Sequence, residues 1–259
     1  MMLIDSHAHL EMPEFKRDLE AVIQRAKESG VEYIFTVGTE RKDWKRALEI
    51  ANSHASVYAI LGVHPHNVKE IDDQTYPTLR ELCQNEKVKA YGEIGLDFFR
   101  NLSPRDIQLM RFREQIGLAK ELRLPIVVHD REAHQETMEI LKSEYTGGCG
   151  GIIHCFSGDD EMAKTCIEMG FYISIPGSIT FKNAERLRES VKKIPLESLL
   201  VETDAPFLTP EPFRGQRNEP SYVRYTAQKV AEIKKVSFEK VAEVTTENAL
   251  RVYRLKVSP

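Results

Sequence analysis

Pro125-Ile126-Val127-Val128-His129 decides the fold. Its apolar, largely β-branched residues read as a buried strand that ends on an imidazole. The design recurs. Gly151-Ile152-Ile153-His154 closes the same way, and Leu3–His9 ends on His7-Ala8-His9. Val88–Leu96 carries Glu93, and Leu199–Asp204 ends on Glu202-Thr203-Asp204. Further runs at Glu32–Val37, Val57–His64 and Phe171–Ile175 bring the number to eight, with one amphipathic helical pattern in each gap. Eight strand–helix units predict an α/β chain whose parallel strands close into a TIM (β/α)8 barrel with an outer helical ring. In that architecture all strands open at one mouth, so His7, His9, Glu93, His129, His154 and Asp204 become neighbours.

Local signals set the helix boundaries. Ser103-Pro104-Arg105-Asp106 predicts a helix start with Ser103 as N-cap and Pro104 in the first turn. Asp159-Asp160-Glu161 puts acids at another start, where the helix dipole favours them. Tyr222–Leu255 reads as two helices joined near Val236-Ser237 that finish the outer ring. No linker or low-complexity stretch interrupts the pattern, so residues 1–259 read as a single barrel domain; such barrels typically need ~250 residues. Gly147-Gly148-Cys149-Gly150-Gly151 lacks the Lys-Ser/Thr ending of a phosphate loop and precedes a strand, so it is read as a turn at the barrel's bottom.

The formal net charge is −4 and no basic run exists, so bulk electrostatics does not steer the chain toward nucleic acid. Charge for a phosphodiester would have to be supplied locally. No apolar run approaches the ~20 residues of a membrane span, and the N-terminus lacks the basic and apolar segments of a secretory signal. The expected location is cytoplasmic, with no membrane association and no obligate protein partner. Four cysteines without a C-x-x-C pair read as reduced thiols, and Cys155, next to His154 in a strand, is expected to face the helices.

Two inward imidazoles at His7 and His9 are hard to satisfy in a core without a metal or carboxylate. Glu93, in Tyr91-Gly92-Glu93-Ile94-Gly95-Leu96-Asp97, is a charge in an apolar strand and needs a cation; its two oxygens could bridge two ions. Asp204 suits a metal ligand or general base. Glu202 lies deeper and reads as the acceptor that fixes a ligand imidazole's tautomer. Asp5 stands below His7 with the same role in view. For both acids the other reading is a partner for a buried Lys or Arg.

Taken together, Asp-x-His-x-His (5–9), Gly-Val-His-Pro-His (62–66), Gly-Glu-Ile-Gly-Leu-Asp (92–97), His129-Asp130-Arg131, His154-Cys155-Phe156-Ser157-Gly158 and Glu202-Thr203-Asp204-Ala205-Pro206 resemble the TatD-type deoxyribonucleases, from residue 3 to about residue 250. The resemblance implies a divalent-metal phosphodiesterase. In it His7 and His9 hold one ion, His129 and His154 the other, Glu93 bridges, and Asp204 binds the first ion and orients the attacking water. Glu93 and Asp204 are thus the expected catalytic residues. Four imidazoles favour Zn²⁺ or Mn²⁺, while the resemblance adds Mg²⁺, so two divalent ions are expected with Mg²⁺ or Mn²⁺ foremost.

The expected substrate is DNA, and RNA beside it, cut from a single-stranded 3′ end. His64, His66, Arg131 and Arg214 are expected to touch it, with Arg100, Arg217, Asn218 and Glu219 in the same region. Phe98, Phe99 and Phe213 could stack on bases or simply pack. Two rival readings stand: an amide or ester hydrolase of the wider superfamily, such as an aminoacyl-RNA deacylase, and a non-catalytic metal-binding scaffold.

Overall fold

The computed structural model describes residues 2–145 and 148–255. Its eight strands pair in parallel and in sequence order. They are β1 (Leu3–Ala8), β2 (Val31–Gly38), β3 (Val57–Leu61), β4 (Val88–Asp97), β5 (Ile126–Arg131), β6 (Gly151–Ile153), β7 (Phe171–Ile175) and β8 (Leu199–Val201). Helices α1 (Leu19–Glu28), α2 (Arg41–Ser53), α3 (Thr75–Leu82), α4 (Arg105–Leu122), α5 (His134–Glu144), α6 (Asp160–Glu168) and α7 (Glu185–Lys193) alternate with them, and α8 (Val223–Lys234) and α9 (Phe238–Val252) follow β8. No described helix is long and apolar enough to cross a membrane.

The seam between β8 and β1 closes at the mouth. Asp204 N donates to His7 O at 2.9 Å and His9 N to Ala205 O at 2.7 Å. Below them the Asp5 carboxylate accepts from Thr203 N (2.9 Å) and Thr203 Oγ1 (2.6 Å). Asp5 therefore does not touch an imidazole, as its position below His7 suggested. It joins the first and last strands of the barrel.

An inner cluster takes Ile4, Phe35, Ile60, Ala90, Val127, Ile152 and Leu200 from seven strands, with Tyr172 of β7 packed beside them. This side-chain layer fills the barrel beneath the mouth. Strict alternation from Ile4 would send His7 outward, and from Ala90 would send Glu93 outward. Two register irregularities prevent this. The β1–β2 pairing slips between Asp5 and Ala8, and β4–β5 slips between Gly92 and Ile94. An extra residue in one strand bends it and re-aims a side chain, and these slips turn His7 and Glu93 to the mouth. The backbone around Glu93 leaves no room for side chains: at Gly95 (φ +140°) a Cβ would lie 2.0 Å from the His129 carbonyl oxygen.

Three expectations need correction. The last turn of α9 does more than complete the outer ring. Ala249, Val252 and Tyr253 enter the inner cluster, Tyr253 stacks on Phe35 at 3.6 Å, and its hydroxyl donates to Ser6 O at 2.8 Å. Ser103 does not cap α4; its hydroxyl donates to His66 O at 2.7 Å and ties the post-β3 loop down, so that competing bond replaces the cap. Cys155 does not continue β6, which stops at Ile153; its φ of +48° breaks the alternation that would have pointed it at the helices. The acids at 159–161 do stand at the start of α6, where Asp159 also caps by accepting from Met162 N, and Ser237 at the helix junction caps α9 by accepting from Lys240 N. Of the glycine-rich turn, Gly147 lies outside the described residues; Gly150, just before β6, accepts from Tyr145 Oη at 2.6 Å.

Gly95→Ala is expected to lose more than ~1 kcal/mol of stability, because the new methyl meets the His129 carbonyl and the φ disfavours any side chain. Urea unfolding would show it as a lower midpoint, and an unchanged midpoint would contradict the packing described for β4 and β5.

Candidate metal centre

The strand ends and the turns after them deliver a compact cluster. Glu93 Oε2 lies 3.3 Å from His7 Nε2. Glu93 Oε1 lies 2.6 Å from His129 Nδ1, 3.5 Å from His64 Nε2 and 3.6 Å from His154 Nε2. Asp204 Oδ1 is 3.4 Å from His9 Nε2 and 3.9 Å from both His7 Nε2 and His154 Nε2. Four overlapping ligand groups emerge among the described residues; the two Glu93 oxygens face His7–His9–Asp204 and His64–His129, and the other two groups, His7–His154–Glu202 and His154–Cys155–Asp204, place His154 beside the first. Asp204 reaches its place with φ +55°, a left-handed turn that ends the strand direction.

A ring of carboxylates holds the imidazoles from behind. Glu202 sits 3.1 Å from His154 Nδ1 and also accepts from Ser174 Oγ (2.6 Å) and Cys155 N (2.7 Å). Glu11 sits 3.2 Å from His9 Nδ1 and takes the Thr36 hydroxyl at 3.0 Å. Asp97 Oδ2 lies 2.8 Å from His66 Nε2 and 3.3 Å from His129 Nε2. Such backing carboxylates fix the ring orientation and tautomer of a metal-binding histidine. Glu11 and Asp97 were given no role in the sequence reading. Their signals were proximity: Glu11 follows His9 by two residues, and Asp97 ends the run that contains Glu93.

Charge is tightly balanced. Burial alone would raise the Glu93 pKa, but His154, His64 and His129 outweigh it and hold the carboxyl well below its usual range. Burial likewise opposes charge on His129, yet Asp97 and Glu93 push it up to about 9. His154 also reaches about 9, through Glu202 and Glu93 against burial. His64 goes the other way, lowered by burial to about 4. His7 is lowered too, by burial and then by the charge of His154, on which it stacks at 3.6 Å. Both ring nitrogens of buried His7 lack a hydrogen-bond partner. A buried polar nitrogen without a partner is costly, and a cation at Nε2 would relieve it. The donor set of imidazoles and carboxylates therefore fits divalent ions.

The residues expected to touch substrate divide. His64 is buried inside the cluster rather than above it. His66 is partly exposed at the edge, held by Asp97. Arg131 is exposed and stacks over Phe99 at 4.0 Å, and Arg214 is exposed over Phe181 at 4.1 Å. The loop at 206–220 is less available than its composition suggested. Arg217 pairs with Asp18 at 2.7 Å, Glu219 with Arg25 at 2.6 Å, and Asn218 donates to Thr203 O at 2.9 Å. Arg217 and Glu219 staple the loop to the segment after β1, and Asn218 ties it back to the end of β8. Phe98 is buried, and Phe213 stacks on Tyr222 at 4.6 Å. Cys155 comes close enough to His154 and Asp204 to share a ligand group with them.

The TatD related DNase family model matches residues 4–254. The chain belongs to the TatD-related DNase family. YabD of Bacillus subtilis strain 168, a metal-dependent hydrolase, is 49% identical over 98% of this chain and 100% of its own length. TatD of Erwinia tasmaniensis, named a 3′-5′ ssDNA/RNA exonuclease, is 36% identical over 98% and 100%. The crystal structure of YJJV, a TatD homolog of Escherichia coli K12, superposes with a TM-score of 0.93 at 32% identity, covering 98% of both chains. This TatD-family chain is a metal-dependent hydrolase, and its barrel is the fold its relatives share.

Because folded His129 and His154 hold protons up to about 9 against an ordinary value of 6.5, an arriving cation must displace them. Ion affinity of this TatD-family protein is expected to rise as pH climbs from 6.5 to 9, about tenfold per pH unit for each proton displaced. The metal-free protein should behave oppositely. The stability that the charged pair contributes is complete below 6.5 and lost as pH rises through about 9, so its Tm should fall across that window. Calorimetric ion titration and thermal melts with chelator check both; a metal-free Tm that rises over the window would contradict them.

Proposed function

We propose that this TatD-family hydrolase cleaves phosphodiester bonds in single-stranded DNA, and in RNA, from the 3′ end, using two divalent ions. One observation carries the reading: a single buried carboxylate, Glu93, turns its two oxygens to two separate groups of ligand-type side chains, with Asp204 beside them. His7, His9, Glu93 and Asp204 would hold one ion, and Glu93, His129 and His154 the other, with His64 alongside. Mg²⁺ and Mn²⁺ are the first ions to test and Zn²⁺ the third. When bound, such a pair lowers the pKa of a water and offsets charge developing on the phosphoryl group.

The chain's own groups do the rest. Asp204 is the cluster acid open to solvent, with 14% of its side chain exposed against 3% for Glu93. Its imidazole neighbours hold it ionised against the effect of burial, so it can orient the attacking water and accept its proton. Glu202 and Glu11 hold the Nδ1 atoms of His154 and His9, which leaves both Nε2 atoms turned to the cluster. Arg131 at the edge and Arg214 further out supply the local positive charge that a net charge of −4 does not, and His66 offers a polar contact at the edge. The named activity of the Erwinia relative supports the polarity and the choice of strand.

The rival amide or ester hydrolase would use the same ions. Many relatives in that superfamily bridge them with a carbamylated lysine from the fourth strand, whereas β4 offers Glu93 here, which favours the TatD-like branch and leaves the scissile bond to a direct comparison of phosphodiester, amide and ester substrates. Strands labelled at the 3′ or 5′ end, linear or closed into circles, decide the polarity on a gel. Loss of the 3′ label first, with circles intact, is the expected outcome, and equal loss of circles and linear strands would overturn the end-directed reading. Asp204→Asn is expected to fold and to lower kcat about 10²–10⁴-fold; full turnover would remove Asp204 from the mechanism.

A further inference from the structure

Three of the five exposed large apolar side chains of the described residues lie in segments that follow strands at the mouth, while Met110 lies on α4 and Val236 between α8 and α9. Phe99 (58% exposed) and Leu102 follow β4, and Phe207 (48% exposed) follows β8. Both phenyl rings grow from turns built on carboxylate-bearing residues of the centre. Phe207 N donates to Asp204 O at 2.8 Å, Asn218 Nδ2 donates to the Phe207 carbonyl at 2.5 Å, and the ring stands edge-on to His9 at 6.1 Å. Across the mouth, Phe99 lies two residues past Asp97, which accepts Arg100 N at 2.7 Å on its carboxylate and Asn101 N at 3.2 Å on its carbonyl. Arg131 stacks on the Phe99 ring at 4.0 Å, and its own carbonyl accepts Phe98 N at 2.9 Å. One ring thus stands over the His9–Asp204 side of the cluster and the other over the His129–Asp97 side.

A flexible exposed phenylalanine could fold down onto its neighbours. These two are presented to water by backbones that the centre itself fixes, and a flat aromatic ligand would recover the burial they forgo. Resting on the phosphodiesterase reading, we propose that Phe207 and Phe99 are specificity-determining stacking platforms for the two nucleobases that flank the cleaved bond. Phe207 takes the base on the His9 side. Phe99, with Arg131 against it, takes the base on the His129 side. A base can give its face to either ring only when it is released from its own stack, so the pair selects unpaired nucleotides.

The test compares wild-type protein, F99A and F207A, each loaded with Mn²⁺, on two strands. One is an ordinary single-stranded oligodeoxynucleotide, and the other carries tetrahydrofuran abasic residues at its last two 3′ positions. Each alanine variant is expected to raise KM on the ordinary strand about tenfold or more, with kcat and Tm nearly unchanged. On the abasic strand the variants and wild type should converge, and Phe→Trp should keep the wild-type KM. Wild-type KM in both alanine variants, or an equal loss on both strands, overturns the inference and leaves the nuclease reading standing. A wild-type protein that cuts neither strand overturns the nuclease reading and this inference with it.

Discussion

The rest of the centre depends on a carboxylate kept charged inside protein. Glu93 is 3% exposed, and an isolated carboxylate in such a place would cost several kcal/mol or take up a proton. It does neither because imidazoles from the ends of β1, β5 and β6 and the loop after β3 converge on its two oxygens. None of those residues is near Glu93 in sequence. Only a closed parallel barrel brings them together, and only at the end where its strands finish.

The same residues serve folding and the site. The contacts that close the barrel between β8 and β1 include the amide of Asp204 and the carbonyl of His7, so a change that loosens the seam also moves ligand-type side chains. Behind the imidazoles, Glu11, Asp97 and Glu202 each occupy one ring nitrogen and leave the other for the centre. His7 is the exception. It is held by stacking on His154 rather than by a hydrogen bond, and its bare nitrogens fit a site completed by cations. An ion held by these nitrogens would compete with protons for them, which would couple its binding to pH.

Around this centre the post-β8 loop is tied down by its own polar contacts. Arg25, Arg217, Asn218 and Glu219 consume their polar groups in anchoring the post-β8 loop. Open residues beside it include His66 at the edge, Arg100, Arg131, Arg214 and two phenyl rings. On the proposed function, recognition would rest on a few groups set close to the cluster, in a chain whose net charge is −4.

The sequence by itself determined the eight strands, because apolar runs punctuated by amphipathic helices leave a period that needs no tertiary knowledge. It also singled out the six residues His7, His9, Glu93, His129, His154 and Asp204, because polar groups at the ends of buried strands contradict their surroundings. The tertiary structure decided how they meet. His7 and Glu93 turn to the mouth through register slips in β1 and β4, and Cys155 and Asp204 through left-handed turns, none of which a strict two-residue period can express. It also decided that Asp5 closes the seam, that His64 belongs within the cluster and that Arg217 and Glu219 are anchors. A side chain's partner across the barrel depends on where distant strands come to rest, and residue type and spacing do not carry that information.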